Sequence, residues 1–124
     1  MNIRTKALQG LEKAHGAVDG IVCTSKFYVP QESRTRKSAW WIEVDKSKVS
    51  MSPSSMVYFV CEKAPGKEDF HYLRLPGSYL LENQNKLDIR HEKNKFSMFL
   101  SAEKENLFQD ERGEGRVAFS QFSV

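Results

Sequence analysis

The chain of 124 residues is long enough for one domain with a single hydrophobic core. Its 40% apolar residues exclude wholesale disorder, and no run approaches the ~18–20 apolar residues that a membrane-spanning helix requires. The net charge is +3, and all of the positive excess lies in residues 1–48, which hold nine Lys/Arg against five Asp/Glu. Residues 49–124 hold ten against eleven. This asymmetry permits an anionic partner such as nucleic acid.

The cysteines and the start of the chain predict a cytoplasmic protein. Cys23 and Cys61 lie inside apolar segments and lack the close spacing of a metal or redox pair, which predicts buried, reduced thiols. The first 20 residues contain no apolar region of the secretory kind. We therefore expect a soluble, cytoplasmic protein with no membrane partner.

The first half of the chain predicts one helix and two extended segments. Apolar residues recur at helical spacing from Ile3 to Leu11, and Gly16 suits the position after a helix, so a helix is predicted over about 3–15. The segment IVCTSKFYV predicts extended chain as far as Pro30, QESRTRKS a polar basic loop, and AWWIEV a strand. A serine-rich connection follows this strand.

The second half predicts two hairpins. Residues 56–76, MVYFVCEKAPGKEDFHYLRLP, read as two strands around a Pro-Gly turn, and the first strand has no polar face, as expected of a central strand covered on both sides. A short helix over about 78–83 and a second hairpin over about 87–100 follow. The predicted fold is α+β in a single domain, residues 1–124. One N-terminal helix packs on a mostly antiparallel, or mixed, sheet of about five to seven strands with short extra helical turns.

Two consecutive tryptophans follow the basic loop. Adjacent residues of a strand point to opposite faces, so Trp40 and Trp41 cannot both fill the same core. An exposed indole here would lie near Arg34, Arg36 and Lys37, an arrangement that suits phosphates and unstacked bases but also a protein interface. Burial of both tryptophans, a protein contact and a nucleic-acid contact all stay open.

A pair of carboxylates offers the one pattern with catalytic potential. Asp19 precedes a strand, Glu32 follows after twelve residues, and Arg34 lies two positions further on. Two carboxylates supply the oxygen ligands that Mg²⁺ prefers, and a neighbouring cation can stabilise charge on phosphorus. The three histidines are scattered without metal-site spacing, and no glycine-rich phosphate loop is present.

The order of segments resembles small bacterial proteins of the restriction-endonuclease-like class, the PD-(D/E)XK nucleases. The segments SAWWIEV, VYFVCE and FHYLRLPGSYLLEN match a succession of tryptophan strand, apolar strand, and strand ending at a proline before a helix, over about residues 1–83. The resemblance implies a core sheet flanked by helices, with Asp19 and Glu32 as metal ligands. Arg34 would stand in place of the active-site lysine, which arginine replaces poorly, so the resemblance implies a degenerate site.

We therefore expect a protein associated with DNA or RNA and without cleavage activity. The expected contact residues are Arg34, Arg36, Lys37, Trp40 and Trp41. One alternative is a protein-interaction or accessory module, homodimeric and borne by a phage or mobile element. A second alternative is a Mg²⁺-dependent DNA endonuclease with Asp19, Glu32 and Arg34 as its catalytic residues; no other cofactor is expected.

Overall fold

A computed structural model describes residues 3–16, 18, 20–67 and 69–124. Within them the elements run in the order α1 (Ile3–His15), β1 (Gly20–Ser25), β2 (Ala39–Asp45), α2 (Lys46–Met51), β3 (Met56–Glu62), β4 (Phe70–Pro76), α3 (Gly77–Glu82), β5 (Asp88–Arg90) and β6 (Lys95–Ser101). Two 3-10 turns follow, at Lys104–Asn106 and Ser120–Phe122. The predicted α+β class is confirmed. None of the described helices combines the length and the apolar character needed to cross a membrane.

The strands form two three-stranded sheets where the sequence predicts one sheet. The first sheet has the order β1-β3-β4, with β1 parallel and β4 antiparallel to β3. The second sheet has the order β2-β6-β5 and is antiparallel throughout. The chain therefore leaves the first sheet after β1, forms β2 in the second sheet, and returns to the first sheet through α2.

The molecule has three layers, with the first sheet between α1 and the second sheet. One face of β3 packs under the helix in a cluster made by Ala7, Leu11, Tyr58, Val60 and Phe70. The other face of β3 meets the second sheet in a larger cluster that includes Val57, Phe59, Cys61, Trp40, Ile42, Val44, Phe96 and Met98. Both faces of β3 are buried, which confirms the central strand predicted from its continuous apolar run.

Local predictions hold for the long elements and fail for one short helix. The helix over 3–15 and both hairpins are confirmed, and Gly16 ends α1 at a φ of 79°. The serine-rich connection instead contains α2, a helix of six residues with Val49 as its buried residue. Asp45 caps this helix, because its carboxylate accepts the Ser47 N–H at 2.9 Å. So short a helix leaves almost no periodic signal.

Gly10 allows α1 to lie close to the first sheet, and this predicts an unusual pair of stability effects. A Cβ at position 10 would lie 2.7 Å from the Tyr72 hydroxyl oxygen. We expect Gly10→Ala to destabilise the protein, because overpacking of about 1–3 kcal/mol outweighs the ~1 kcal/mol gained in helix propensity. In a Tyr72→Phe background the same change should stabilise, since the obstructing oxygen is gone. Urea unfolding of the four proteins measures this reversal, and an equal effect in both backgrounds would contradict it.

Candidate functional site

The alternation of β2 separates the two tryptophans. Trp40 is 1% exposed, its indole N–H donates to the Glu62 carbonyl at 2.7 Å, and its ring stacks on Phe108 with centroids 5.2 Å apart. Trp41 points the other way and is 38% exposed, the most exposed aromatic side chain among the described residues. Trp40 thus belongs to the core, and a ligand can meet only the ring of Trp41.

The ring of Trp41 is held in one orientation. Its main-chain N–H donates to Ser25 Oγ at 2.9 Å, which ties β2 to the end of β1. Its indole N–H donates to Ser97 Oγ on β6 at 3.1 Å. The Phe99 ring lies beside it at a centroid distance of 6.3 Å and a tilt of 59°. The exposed indole is therefore preorganised and would lose little rotamer freedom on binding.

The loop over residues 31–38, here called the basic loop, carries three exposed cations, Arg34, Arg36 and Lys37. None of the three forms an ion pair with any other part of the chain that the structure describes. Hydrogen bonds between Ser33 and Thr35 shape the loop, and Arg36 adopts a φ of 62°, a left-handed conformation uncommon outside glycine. The loop is thus a structured turn that presents unpaired positive charge.

Three neighbouring depressions, two of them lined by Trp41, share lining residues and form one surface, here called the groove. The central depression has a volume of about 460 Å³ and its neighbours about 450 Å³ each. The central and second depressions share Tyr28 and Trp41, and the central and third share Arg34, Phe99 and Arg112. Polar and aromatic residues dominate the central lining, which comprises Tyr28, Glu32, Ser33, Arg34, Ala39, Trp40, Trp41, Arg90, Glu92, Phe99 and Arg112.

Positive charge exceeds negative charge along the groove. Its lining contains seven arginine or lysine and four glutamate residues, namely Arg4, Lys26, Arg34, Lys37, Arg90, Arg112, Arg116, Glu32, Glu43, Glu92 and Glu111. Each glutamate is already paired with a cation of the groove, in the pairs Lys26–Glu32, Arg90–Glu43, Arg90–Glu92 and Arg116–Glu111. Arg112 pairs with Asp88, so the groove cations without an ion pair to another described residue are Arg4, Arg34 and Lys37.

The ion pairs of Arg90 shift the pKa values of Arg90 and Glu92. Hydrogen bonding to Glu43, and then to Glu92, raises the pKa of Arg90. A backbone hydrogen bond, followed by the bond from Arg90, lowers the pKa of Glu92. Both pKa shifts favour the charged forms of Arg90 and Glu92.

The buried carboxylate of Asp110 fixes the turn that forms the side of the groove opposite the basic loop. Asp110 is fully buried and accepts the main-chain N–H groups of Phe99, Arg112 and Gly113. Burial raises the pKa of Asp110, and these three hydrogen bonds act in the opposite direction. The turn they fix places the Arg112 guanidinium over the Phe99 ring, 5.0 Å from its centroid, and against the Asp88 carboxylate.

The predicted pairing of Asp19 with Glu32 at a metal ion stays a prediction. Asp19 lies outside the described residues. Glu32 is exposed, and its carboxylate is paired with Lys26 at 3.2 Å. The described ranges contain no group of three or more His, Cys, Asp or Glu side chains that could hold a metal ion.

The sequence analysis missed the far side of the groove. Tyr28, Phe99, Arg112 and Arg116 contribute to the lining but carry no local signal of function. The glycines of ERGEGR indicate a tight loop, yet only the long-range bonds of Asp110 determine where that loop lies. Of the predicted contact residues, Arg34, Lys37, Trp40 and Trp41 line the groove, although Trp40 is buried, and Arg36 lies outside the lining.

Comparison with protein-family models, with curated proteins and with solved structures finds no match to this chain. The resemblance to restriction-endonuclease-like proteins therefore stays a prediction from the sequence. Function has to be inferred from the groove and its charges.

Proposed function

We propose that this protein binds nucleic acid through the basic loop and Trp41. The observation that carries the proposal is the placement of three exposed, unpaired cations, Arg34, Arg36 and Lys37, beside an exposed and fixed indole. Phosphate groups are the abundant anions that such cations bind, and release of condensed counterions makes the contact favourable. The indole adds a stacking surface for bases.

The proposal involves binding without cleavage. Glu32 pairs with Lys26. Arg34 stands in the place of the family's lysine in the resemblance, and its planar guanidinium is a poor substitute for an ammonium group. A restriction-endonuclease-like core and a cytoplasmic location are parts of the same proposal that only the sequence supports, whereas a phage or mobile-element origin belongs to the alternative of a protein-interaction module.

The proposal predicts a specific change in salt dependence. We expect an Arg34→Ala/Arg36→Asn/Lys37→Ala variant to bind DNA or RNA more weakly, with the slope of log affinity against log salt reduced in magnitude by about 2–3. Asparagine is chosen at position 36 because it tolerates the positive φ found there. Fluorescence anisotropy of labelled oligonucleotides over a range of salt concentrations measures the slope.

A matched variant separates local contacts from net charge. Lys13, Lys48 and Lys67 are exposed and lie outside the lining of all three depressions. Their replacement by alanine removes the same charge and should leave most of the affinity and slope intact. Equal losses in both variants, or no binding of the native protein at low salt, would contradict the proposal.

The same samples test the two alternatives. Supercoiled plasmid incubated with Mg²⁺ should remain intact, and nicking that Glu32→Gln abolishes would favour an endonuclease. Size-exclusion chromatography tests the protein-interaction module, because a stable homodimer that buries Trp41 and ignores nucleic acid would replace the present proposal.

A further inference from the structure

We propose that the groove accepts a single-stranded nucleic acid and that one unstacked base lies on the exposed face of Trp41. This inference rests on the proposed function and specifies the form of its ligand. It rests on two observations. Cations lie over the Tyr28 and Phe99 rings whereas the Trp41 ring stays accessible, and the three depressions share lining residues.

Trp41 is the ring that the groove leaves open. The Lys26 ammonium lies over the Tyr28 ring at 4.8 Å from its centroid, and the Arg112 guanidinium covers Phe99 at 5.0 Å. These two faces are already occupied by cations, whereas 38% of Trp41 stays accessible. A planar, weakly polar group entering the central depression therefore meets the indole.

The shape of the groove fits an extended chain. The central depression, at about 460 Å³, is within the ~300–1,000 Å³ of sites that enclose small molecules, so it has room for a nucleobase. The depression on each side presents a cation that has no ion pair to another described residue, Arg4 on one side and Lys37 on the other. Phosphates on both sides of a bound base would thus each find positive charge.

A duplex cannot use this arrangement. Its bases are stacked on one another and offer only their edges to a protein, so no base face can reach an indole in a depression. A single strand can turn one base out at little cost. The hydrogen bond from the indole N–H to Ser97 keeps the stacking surface in place before the strand arrives.

The test compares three ligands and three proteins. The ligands are a 12-nucleotide oligothymidylate, an abasic strand of the same length, and a 12-base-pair duplex; the proteins are the native chain, Trp41→Ala and Trp41→Phe. We expect the native protein to prefer oligothymidylate. Trp41→Ala should lose about 5- to 150-fold in affinity for it, the range that ~1–3 kcal/mol per stacked base implies. Trp41→Phe should retain most of the affinity, because it keeps an aromatic face.

The abasic strand isolates stacking from phosphate contacts. It should bind the native protein and Trp41→Ala equally, at roughly the affinity that Trp41→Ala has for oligothymidylate. Intrinsic fluorescence gives a second readout, since quenching by the bases should disappear in Trp41→Ala while the emission of buried Trp40 remains. A circular dichroism melt verifies that each variant is folded.

The possible failures are distinguishable. Equal affinity of the native protein for duplex and single strand, or for abasic and thymidylate strands, would overturn this inference and leave nucleic-acid binding standing. Absence of binding to all three ligands at low salt would overturn both.

Discussion

Replacing Trp40 by alanine is expected to lower the free energy of unfolding by about 3–5 kcal/mol, the usual range for removing a large buried aromatic side chain. Trp40 connects the two sheets, because it belongs to β2 while its indole N–H donates to Glu62 at the end of β3. Its ring also stacks on Phe108 and meets His71 edge-on. Urea unfolding followed by circular dichroism measures the loss.

The neighbouring residue provides the matched control. Trp41→Ala removes a side chain of the same size one position along the same strand, but from the solvent-facing side. We expect it to cost much less stability than Trp40→Ala and to act on ligand binding. Equal destabilisation by the two substitutions would contradict the separation of roles between the faces of β2.

Replacing Asp110 by alanine is expected to destabilise the protein by about 3 kcal/mol and to weaken binding at the groove. The change leaves three main-chain N–H groups, those of Phe99, Arg112 and Gly113, without their acceptor in a buried place. The turn that positions Arg112 should then loosen. Thermal unfolding and the anisotropy titration measure the two effects on the same preparation.

Asparagine at position 110 provides an intermediate case. One carboxylate oxygen of Asp110 accepts from Phe99 and Arg112, and the other accepts from Gly113. An asparagine oxygen can keep the first two bonds, but its amide nitrogen would then face the Gly113 N–H, which is also a donor. We expect a smaller loss than in Asp110→Ala. If both variants were as stable as the native protein, the turn would not depend on the Asp110 carboxylate.

Local patterns were sufficient for the elements whose side chains alternate or recur over many residues. The unbroken apolar run of β3 predicts its two buried faces, and the alternation in β2 predicts that Trp40 and Trp41 separate. The division into two sheets is not local, because it depends on β1 pairing in parallel with β3 across β2 and α2. No residue of β1 encodes that partner by itself.

The candidate site was predictable to the same degree. Only Ala39 and Trp40 separate the basic loop from Trp41, so their proximity follows from their closeness in the chain. Arg112 and Arg116 reach the groove only because Asp110 bonds to β6 and because Gly113 lies against Lys86, where a Cβ would be 2.4 Å from the carbonyl oxygen. Such long-range steric fits leave no periodic trace in the chain.

The opposite orientation of alternate side chains in β2 has a consequence for how the protein can diversify. Substitutions at Trp41 and Phe99, which are cross-strand partners, alter the surface of the groove, whereas their inward-facing neighbours in β2 and β6 keep the sheets together. Substitutions on the groove side of β2 can therefore change this surface with little loss in the free energy of unfolding. Closely related sequences should vary independently at these two sets of positions.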